Sequence, residues 1–137
     1  MKYAIRYYTK SGNTRKLAKA IEEVLDVKAK RVDTPLEEHV DILFLGSSVY
    51  AAGVDEEMKK FIRTLSPEKV GRVINFSTAA LLPSTYKQVS KLLAEVNVPI
   101  AKEEFHCRGK FLSMHKNHPD ETDLENLKKF VREVAHE

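Results

Sequence analysis

Short apolar segments alternate along the chain with stretches whose apolar residues recur at helical spacing. The apolar segments predict five strands, at residues 3–8, 27–32, 40–45, 70–76 and 100–105. Spacings of three and four residues predict four amphipathic helices. Their apolar faces are Leu17, Ile21, Val24 and Leu25, then Met58, Phe61, Ile62 and Leu65, then Val89, Leu92, Leu93 and Val96, and last Leu124, Leu127, Phe130, Val131 and Val134.

The third strand indicates the kind of sheet. Its residues 42–45 are all apolar instead of alternating with polar ones, as expected of a strand buried on both faces of a parallel sheet. Strands that alternate with helices then predict an α/β fold, a three-layer sandwich with right-handed crossovers. Residues 33–38, between the second and third strands, predict one short turn at most and no helix.

Three local features complete this picture. Thr85 with Gln88, and Thr122 with Glu125, have the spacing of capping boxes at the starts of the third and fourth helices. Arg6 lies inside the first strand, where a lone buried cation is costly. We expect it to lie at the strand's end or to pair with a carboxylate.

Length and charge narrow the class of protein. The 137 residues, of which 42% are hydrophobic, predict one domain over residues 1–137. The longest apolar run, residues 40–50, is too short for a membrane span, and no signal peptide is apparent, so we expect a cytoplasmic protein.

Cys107 is the only cysteine, which excludes an intramolecular disulfide. The net charge of +3 is scattered, so nucleic-acid binding is not implied. We expect a monomer.

The sharpest candidate for chemistry follows the first strand. There Thr9, Lys10, Ser11, Gly12, Asn13 and Thr14 lead into the first helix. Small hydroxylated residues and a glycine let the backbone wrap around an anion, and a helix N-terminus offers unpaired N–H groups. The segment lacks the Walker and dinucleotide-binding patterns. It predicts a phosphate site, and the alternative is that it only caps the helix.

This segment resembles the phosphate loop of the flavodoxins, Thr/Ser-x-Thr/Ser-Gly-x-Thr, at every position of that pattern. The resemblance implies a flavodoxin-like five-stranded parallel sheet of order 2-1-3-4-5. In flavodoxins FMN lies at the switch point between the first and third strands. It therefore also implies two further FMN loops, after the third and fourth strands.

The loop after the third strand, residues 46–53, is similar to the flavodoxin loop Gly-Ser-Pro-x-Tyr-x-Gly, with Ser48 in the place of the frequent proline. The resemblance implies that Tyr50 covers one face of the flavin ring, the alternative being a structural tyrosine. It assigns cofactor contacts to Ser47, Ser48, Val49, Tyr50, Ala51, Ala52 and Gly53.

The loop after the fourth strand, residues 77–84, stands where the family borders the pyrimidine end of FMN. The resemblance assigns contacts to Ser77, Thr78, Ala79 and Ala80. No aromatic precedes Tyr86, so what covers the second flavin face stays open. Residues 105–130 resemble the C-terminal segment of small, short-chain bacterial flavodoxin-like proteins, so that the resemblance spans the chain.

The function that the resemblance implies is an FMN-binding flavoprotein that shuttles one or two electrons between redox partners, without a catalytic acid or base. One alternative is an FMN-dependent reductase or dehydrogenase of quinones or porphyrin precursors. Another is a binding module without FMN. The three loops contain no Asp or Glu and one cation, Lys10, and Arg108, Lys110 and Lys116 follow the fifth strand. We therefore expect partners with an acidic docking face.

A metal site is the last alternative. His106, Cys107, His115 and His118 are ligand types at short spacing. No second cysteine or Cys-x-x-Cys pair supports them, so we predict no metal site.

Overall fold

The computed structural model describes residues 1–10, 12–49, 54–79, 84–108 and 119–135, with the backbone alone at residues 49, 79 and 108. Strands and helices alternate as predicted. The strands are β1 (Tyr3–Tyr7), β2 (Ala29–Arg31), β3 (Val40–Val49), β4 (Val70–Ala79) and β5 (Ile100–Arg108). The helices are α1 (Asn13–Leu25), α2 (Glu56–Arg63), α3 (Tyr86–Glu95) and α4 (Glu121–Val134).

The five strands form one parallel sheet of order β2-β1-β3-β4-β5, which confirms the predicted fold class and strand order. The last three strands run further than predicted. Polar side chains do not end β3 and β4, because backbone pairing continues through Ser47 opposite Ser77 and Ser48 opposite Thr78. These predicted loop residues therefore lie at the carboxyl ends of strands.

Helices cover both faces of the sheet. On one face α1 and α4 pack on Ile42 and Phe44 of β3, and on the other α2 and α3 pack on Leu43 and Leu45. All four residues of β3 are buried, as the unbroken apolar run predicted. Because α1 and α2 follow the neighbouring strands β1 and β3 but pack on opposite faces, a crevice is expected between the carboxyl ends of these two strands.

Arg6 is buried at the next-to-last residue of β1, close to the strand end that the sequence suggested, and carbonyl oxygens accept its hydrogen bonds. Its guanidinium donates to three carbonyl oxygens, those of Thr34 at 2.8 Å, Ile5 at 3.0 Å and Pro35 at 3.3 Å. Burial lowers the pKa of Arg6, and Glu37 opposes this shift. Charge-assisted bonds from one side chain thus anchor the helix-free connection between β2 and β3.

Both predicted capping boxes are wrong. The Thr85 side chain makes no capping bond to α3, because its hydroxyl joins a buried polar cluster described below. The helix α4 begins one residue earlier than Thr122, and Asp120 and Asp123 form its capping box, with both bonds at 2.9 Å. The positive end of the helix dipole also stabilises the negative charge of these two carboxylates.

Candidate functional site

Three hydroxyl groups meet at the carboxyl end of the sheet, one from each of the three predicted FMN segments. Thr14 Oγ1 lies 2.6 Å from Ser48 Oγ and 3.1 Å from Thr78 Oγ1, and the Ser48 and Thr78 oxygens are 3.2 Å apart. We call Thr14, Ser48 and Thr78 the outer hydroxyl cluster. It brings segments that are distant in sequence to one place, as the resemblance implied.

The described residues of the predicted phosphate loop have features of an anion site. Gly12 adopts a left-handed conformation, with φ at 89°, and its N–H donates to Thr9 Oγ1 at 3.1 Å. A Cβ built on Gly12 would meet nothing within 4 Å, so one side of the loop is open. A left-handed residue that leads into a helix turns successive N–H groups toward one point, and the helix dipole adds to their attraction for an anion.

The charges near this loop also favour an anion. The first turn of α1 contains no acidic residue, and its cations Arg15 and Lys16 are exposed and make no ion pair within the described ranges. Cations near a helix N-terminus oppose the dipole, so their placement is unfavourable unless negative charge binds there. Arg15 and Lys16 line a groove of about 500 Å³ between α1 and α4, together with Lys19 and Lys128.

A second, closed set of polar side chains lies on the other face of the sheet. Thr85 Oγ1 accepts from Ser47 Oγ at 2.9 Å and from Asn75 Nδ2 at 3.1 Å, and it donates to Asn75 Oδ1 at 3.4 Å. The backbone N–H of Thr85 donates to Ser77 Oγ at 3.4 Å. We call Ser47, Asn75, Ser77 and Thr85 the inner polar cluster. The hydroxyls of Ser47 and Ser77, both assigned to the cofactor by resemblance, therefore point inward.

The sequence did not identify Asn75 and Thr85 as part of this arrangement. The one signal was Asn75 itself, a polar residue between Ile74 and Phe76 in a strand that is otherwise apolar. A buried amide needs partners, and the alternation of side chains along a strand would have directed it to the face of Ser77.

Lys10 reaches across to the start of α2. Its Nζ lies 3.4 Å from Asp55 Oδ2, while Asp55 Oδ1 accepts from the backbone N–H of Glu57 and so caps that helix. The Asp55 side chain is about one-quarter exposed, and that of Lys10 is largely exposed. Lys10, the only charge in the three predicted loops, is therefore partly neutralised by a carboxylate outside them.

Tyr86 has a structural role in the fold. Its hydroxyl donates to the Ala101 carbonyl at 2.8 Å and so ties α3 to β5. Burial, with Glu104 and Glu103 nearby, raises its pKa.

Several predicted site residues lie outside the described ranges, namely Ser11, Tyr50, Ala51, Ala52, Gly53 and Ala80. Only the backbone of Val49 and Ala79 is described, at the ends of β3 and β4. The stacking role of Tyr50, and its structural alternative, stay predictions.

Among the described residues no helix has both the length and the apolar character to cross a membrane.

The candidate metal ligands are only partly described. Within the described ranges no group of three His, Cys, Asp or Glu residues could hold a metal ion, and His115 and His118 lie outside them. Burial, with Asp123 and Asp120 nearby, raises the pKa of Cys107 to about 12.

Comparisons with known proteins agree with this geometry. Residues 4–114 match the family model of the flavodoxin domain. An uncharacterized protein of Methanocaldococcus jannaschii is 28% identical in an alignment that covers 89% of each chain. An archaeal flavodoxin superposes with a TM-score of 0.79 at 19% identity, over 99% of this chain and 97% of the other. Oxidised flavodoxin 2 from Bacillus cereus gives 0.72 at 19% identity, over 99% of both chains. The chain belongs to the flavodoxin-domain family.

Proposed function

We propose that the protein binds FMN and carries electrons between redox partners. The observation that carries this proposal is the outer hydroxyl cluster, which joins the three segments at the carboxyl ends of β3 and β4 and at the start of α1. In open parallel sheets of this order, ligands bind at the strand ends where successive helices leave to opposite faces. Family membership supports the same assignment.

The residues present fit the cofactor. Gly12 offers an open, left-handed turn for a phosphate, and Thr14 carries a hydroxyl in the first turn of α1 beside it. Arg15 and Lys16 add positive charge, so the doubly charged phosphate of FMN would relieve an unfavourable arrangement. When bound, FMN supplies the capacity to take up and release one or two electrons. The described part of the chain then binds and orients it, and no described side chain is assigned an acid or base role.

We further propose that the partners present an acidic surface. The supporting observations are the net charge of +3 and the groove between α1 and α4, which begins at Gly12. Two of the cations that line the groove form ion pairs with carboxylates of the same chain, Lys19 with Glu22 and Lys128 with Glu23. Arg15 and Lys16 therefore supply most of the charge that a partner would meet.

The test compares FMN with riboflavin, which lacks the phosphate. We expect purified protein mixed with FMN to show bound-flavin absorbance and to bind FMN more tightly than riboflavin. Thr14→Ala should weaken FMN binding by about 1.5–3 kcal/mol, the range for a hydrogen bond to a charged group. Riboflavin binding should change less. Thr122→Ala, which removes an exposed threonine hydroxyl on α4, is the matched control.

Equal losses of both flavins in Thr14→Ala would show that the loop does not hold phosphate. A wild-type protein that binds no FMN would exclude the electron-carrier role and favour a binding module. Steady-state turnover of NADH and a quinone by the FMN-loaded protein would instead identify a reductase.

A further inference from the structure

Arg6 and Lys30 place two positive charges side by side on one face of the sheet. They are register neighbours in β1 and β2, so their side chains point to the same face. Arg6 is 7% exposed, whereas Lys30 is exposed and makes no ion pair within the described ranges. Like charges on adjacent strands repel each other, and more strongly where water is excluded. An anion between them would offset this repulsion.

The Arg6 guanidinium has hydrogen-bonding capacity left. Each of its three nitrogens donates one bond, to the carbonyl oxygens of Thr34, Ile5 and Pro35. Since a guanidinium carries five N–H groups, one N–H on each terminal nitrogen remains. Among the described residues no carboxylate lies within ion-pair distance of Arg6. Burial lowers the pKa of Arg6 and Glu37 raises it, so Glu37 acts on the guanidinium without contacting it.

A groove gives a ligand access to these two cations. It has a volume of about 520 Å³ and runs beside residues 34–38, in the helix-free connection between β2 and β3. Its charged lining residues are Arg6, Lys28, Lys30, Glu37 and Glu38. Because Glu38 pairs with Lys2 at 3.0 Å, the three cations face one further carboxylate, that of Glu37. The groove therefore favours a negatively charged ligand.

The groove is separate from the proposed flavin site. Tyr3 and Val40, the first residues of β1 and β3, line it. It therefore extends toward the amino ends of the strands, whereas the outer hydroxyl cluster lies at the carboxyl ends of β3 and β4. A ligand in this groove would leave the flavin site free.

We propose that this groove binds a small organic carboxylate, with one carboxylate group between Arg6 and Lys30. The planar guanidinium suits this ligand, because two of its N–H groups can donate to the two carboxylate oxygens. The single charge of one carboxylate also meets less repulsion from Glu37 than the charge of a phosphate, which is about −1.5 to −2 at neutral pH. This site goes beyond the proposed function and does not depend on flavin binding.

The test follows the backbone amide signals of the isotope-labelled full chain by nuclear magnetic resonance during a titration with succinate, with and without added FMN. We expect saturable shifts at residues 28–31 and 36–38 in both cases. Succinamide, in which neutral amides replace both carboxylates, should cause little change, and inorganic phosphate should bind more weakly than succinate. Lys30→Gln should weaken succinate binding about threefold, as for an exposed ion pair. Lys91→Gln, which removes an exposed lysine on α3, is the matched control and should bind like the wild type.

Two further variants address the buried cation. Arg6→Lys keeps the charge but loses the planar set of N–H groups, so it should weaken succinate binding about tenfold. Thermal unfolding checks that this variant folds. Glu37→Gln removes the carboxylate that competes with the ligand and should tighten binding about twofold. A purely structural Arg6 predicts no such gain.

Several results would overturn this proposal. They are shifts that do not saturate, equal shifts with succinamide, and tighter binding of phosphate than of succinate. Equal losses in Lys30→Gln and Lys91→Gln would also overturn it, because binding would then follow overall charge. Should Arg6→Lys prove unstable, the opposite effects expected of Lys30→Gln and Glu37→Gln decide the matter. A protein that binds succinate but no FMN would overturn the proposed function and leave this site standing.

Discussion

The outer hydroxyl cluster and the inner polar cluster both take residues from β3 and β4. They differ in how exposed their side chains are and in how fully their hydrogen-bonding groups are used. Ser47 belongs to the inner cluster and Ser48 to the outer, because successive side chains of a strand point to opposite faces of the sheet. The members of the inner cluster are between 0% and 2% exposed. In the outer cluster Ser48 remains half-buried.

The hydrogen bonds of Thr85 explain why the inner cluster is closed. The Thr85 hydroxyl accepts two bonds and donates one, which uses its whole capacity, and its backbone N–H is held by Ser77. Nothing in this arrangement needs a ligand. It fixes the chain just before α3, whereas the outer cluster has the accessible hydroxyl that a ligand can use. Of two similar sets of polar residues, one is therefore structural and the other is the candidate site.

The largest predicted effect concerns the inner cluster. Asn75→Ala removes both bonds between Asn75 and Thr85 and leaves a small cavity at a fully buried position. We expect the free energy of unfolding to fall by about 3 kcal/mol. Urea denaturation measures this loss, and the ratio of FMN to riboflavin affinity should stay near the wild-type value. A variant of unchanged stability that loses its preference for FMN would place Asn75 in the binding site and remove the distinction between the clusters.

The next prediction uses Cys107, the register neighbour of Thr78, as a reporter at the outer cluster's level of the sheet. Its pKa is raised to about 12 in the folded chain, against about 8.5 for a free thiol. At pH 10 the folded thiol should therefore react with iodoacetamide about 100-fold more slowly than in urea, because the thiolate is the nucleophile. Similar rates in both states would show that this part of β5 is open to solvent.

The same shift predicts a dependence of stability on pH. Because the pKa of the folded thiol is raised, its contribution to stability is complete below about pH 8.5 and is lost as the pH rises toward 12. Between pH 9 and pH 10.5 the wild type should lose more stability than Cys107→Ala. Parallel curves for the two proteins would mean that the thiol titrates normally in the fold.

The sequence predicted the parts of the fold that depend on local pattern. The apolar run of β3 identified a buried parallel strand, and the helix faces identified the two layers around it. The hydroxyl-rich segments identified the end of the sheet where Thr14, Ser48 and Thr78 meet.

What the sequence could not predict depends on partners far away along the chain. Arg6 is satisfied by carbonyls 28 and 29 residues away, and a spacing rule does not reveal carbonyl acceptors. Thr85 matched a capping box, yet its hydroxyl is used by Asn75 and Ser47. Tertiary hydrogen bonds prevailed over the local motif because an unpaired buried amide costs more than a lost helix cap.

The smallest predicted effect concerns the charge that borders the outer cluster. The double variant Arg15→Glu and Lys16→Glu reverses two exposed cations beside Gly12. Because these cations also favour the phosphate of FMN, the rates are compared only between preparations whose absorbance shows one bound FMN per protein. Ferricyanide, an anionic oxidant, serves as the probe, and stopped-flow absorbance follows its oxidation of the reduced, FMN-loaded protein. At low ionic strength the rate should fall about threefold in the variant, because exposed charges act weakly through water.

Added salt should remove this difference, since at about 0.1 M charges further apart than about 10 Å are largely screened. The control is Lys60→Glu with Arg63→Glu, which reverses two exposed cations in the last turn of α2, on the other face of the sheet. Because α2 begins at the carboxyl end of β3, its last turn points toward the opposite end of the sheet, and the rate should change less. Equal slowing in both variants would mean that overall charge governs access to the flavin, and the groove between α1 and α4 would then have no special part in docking.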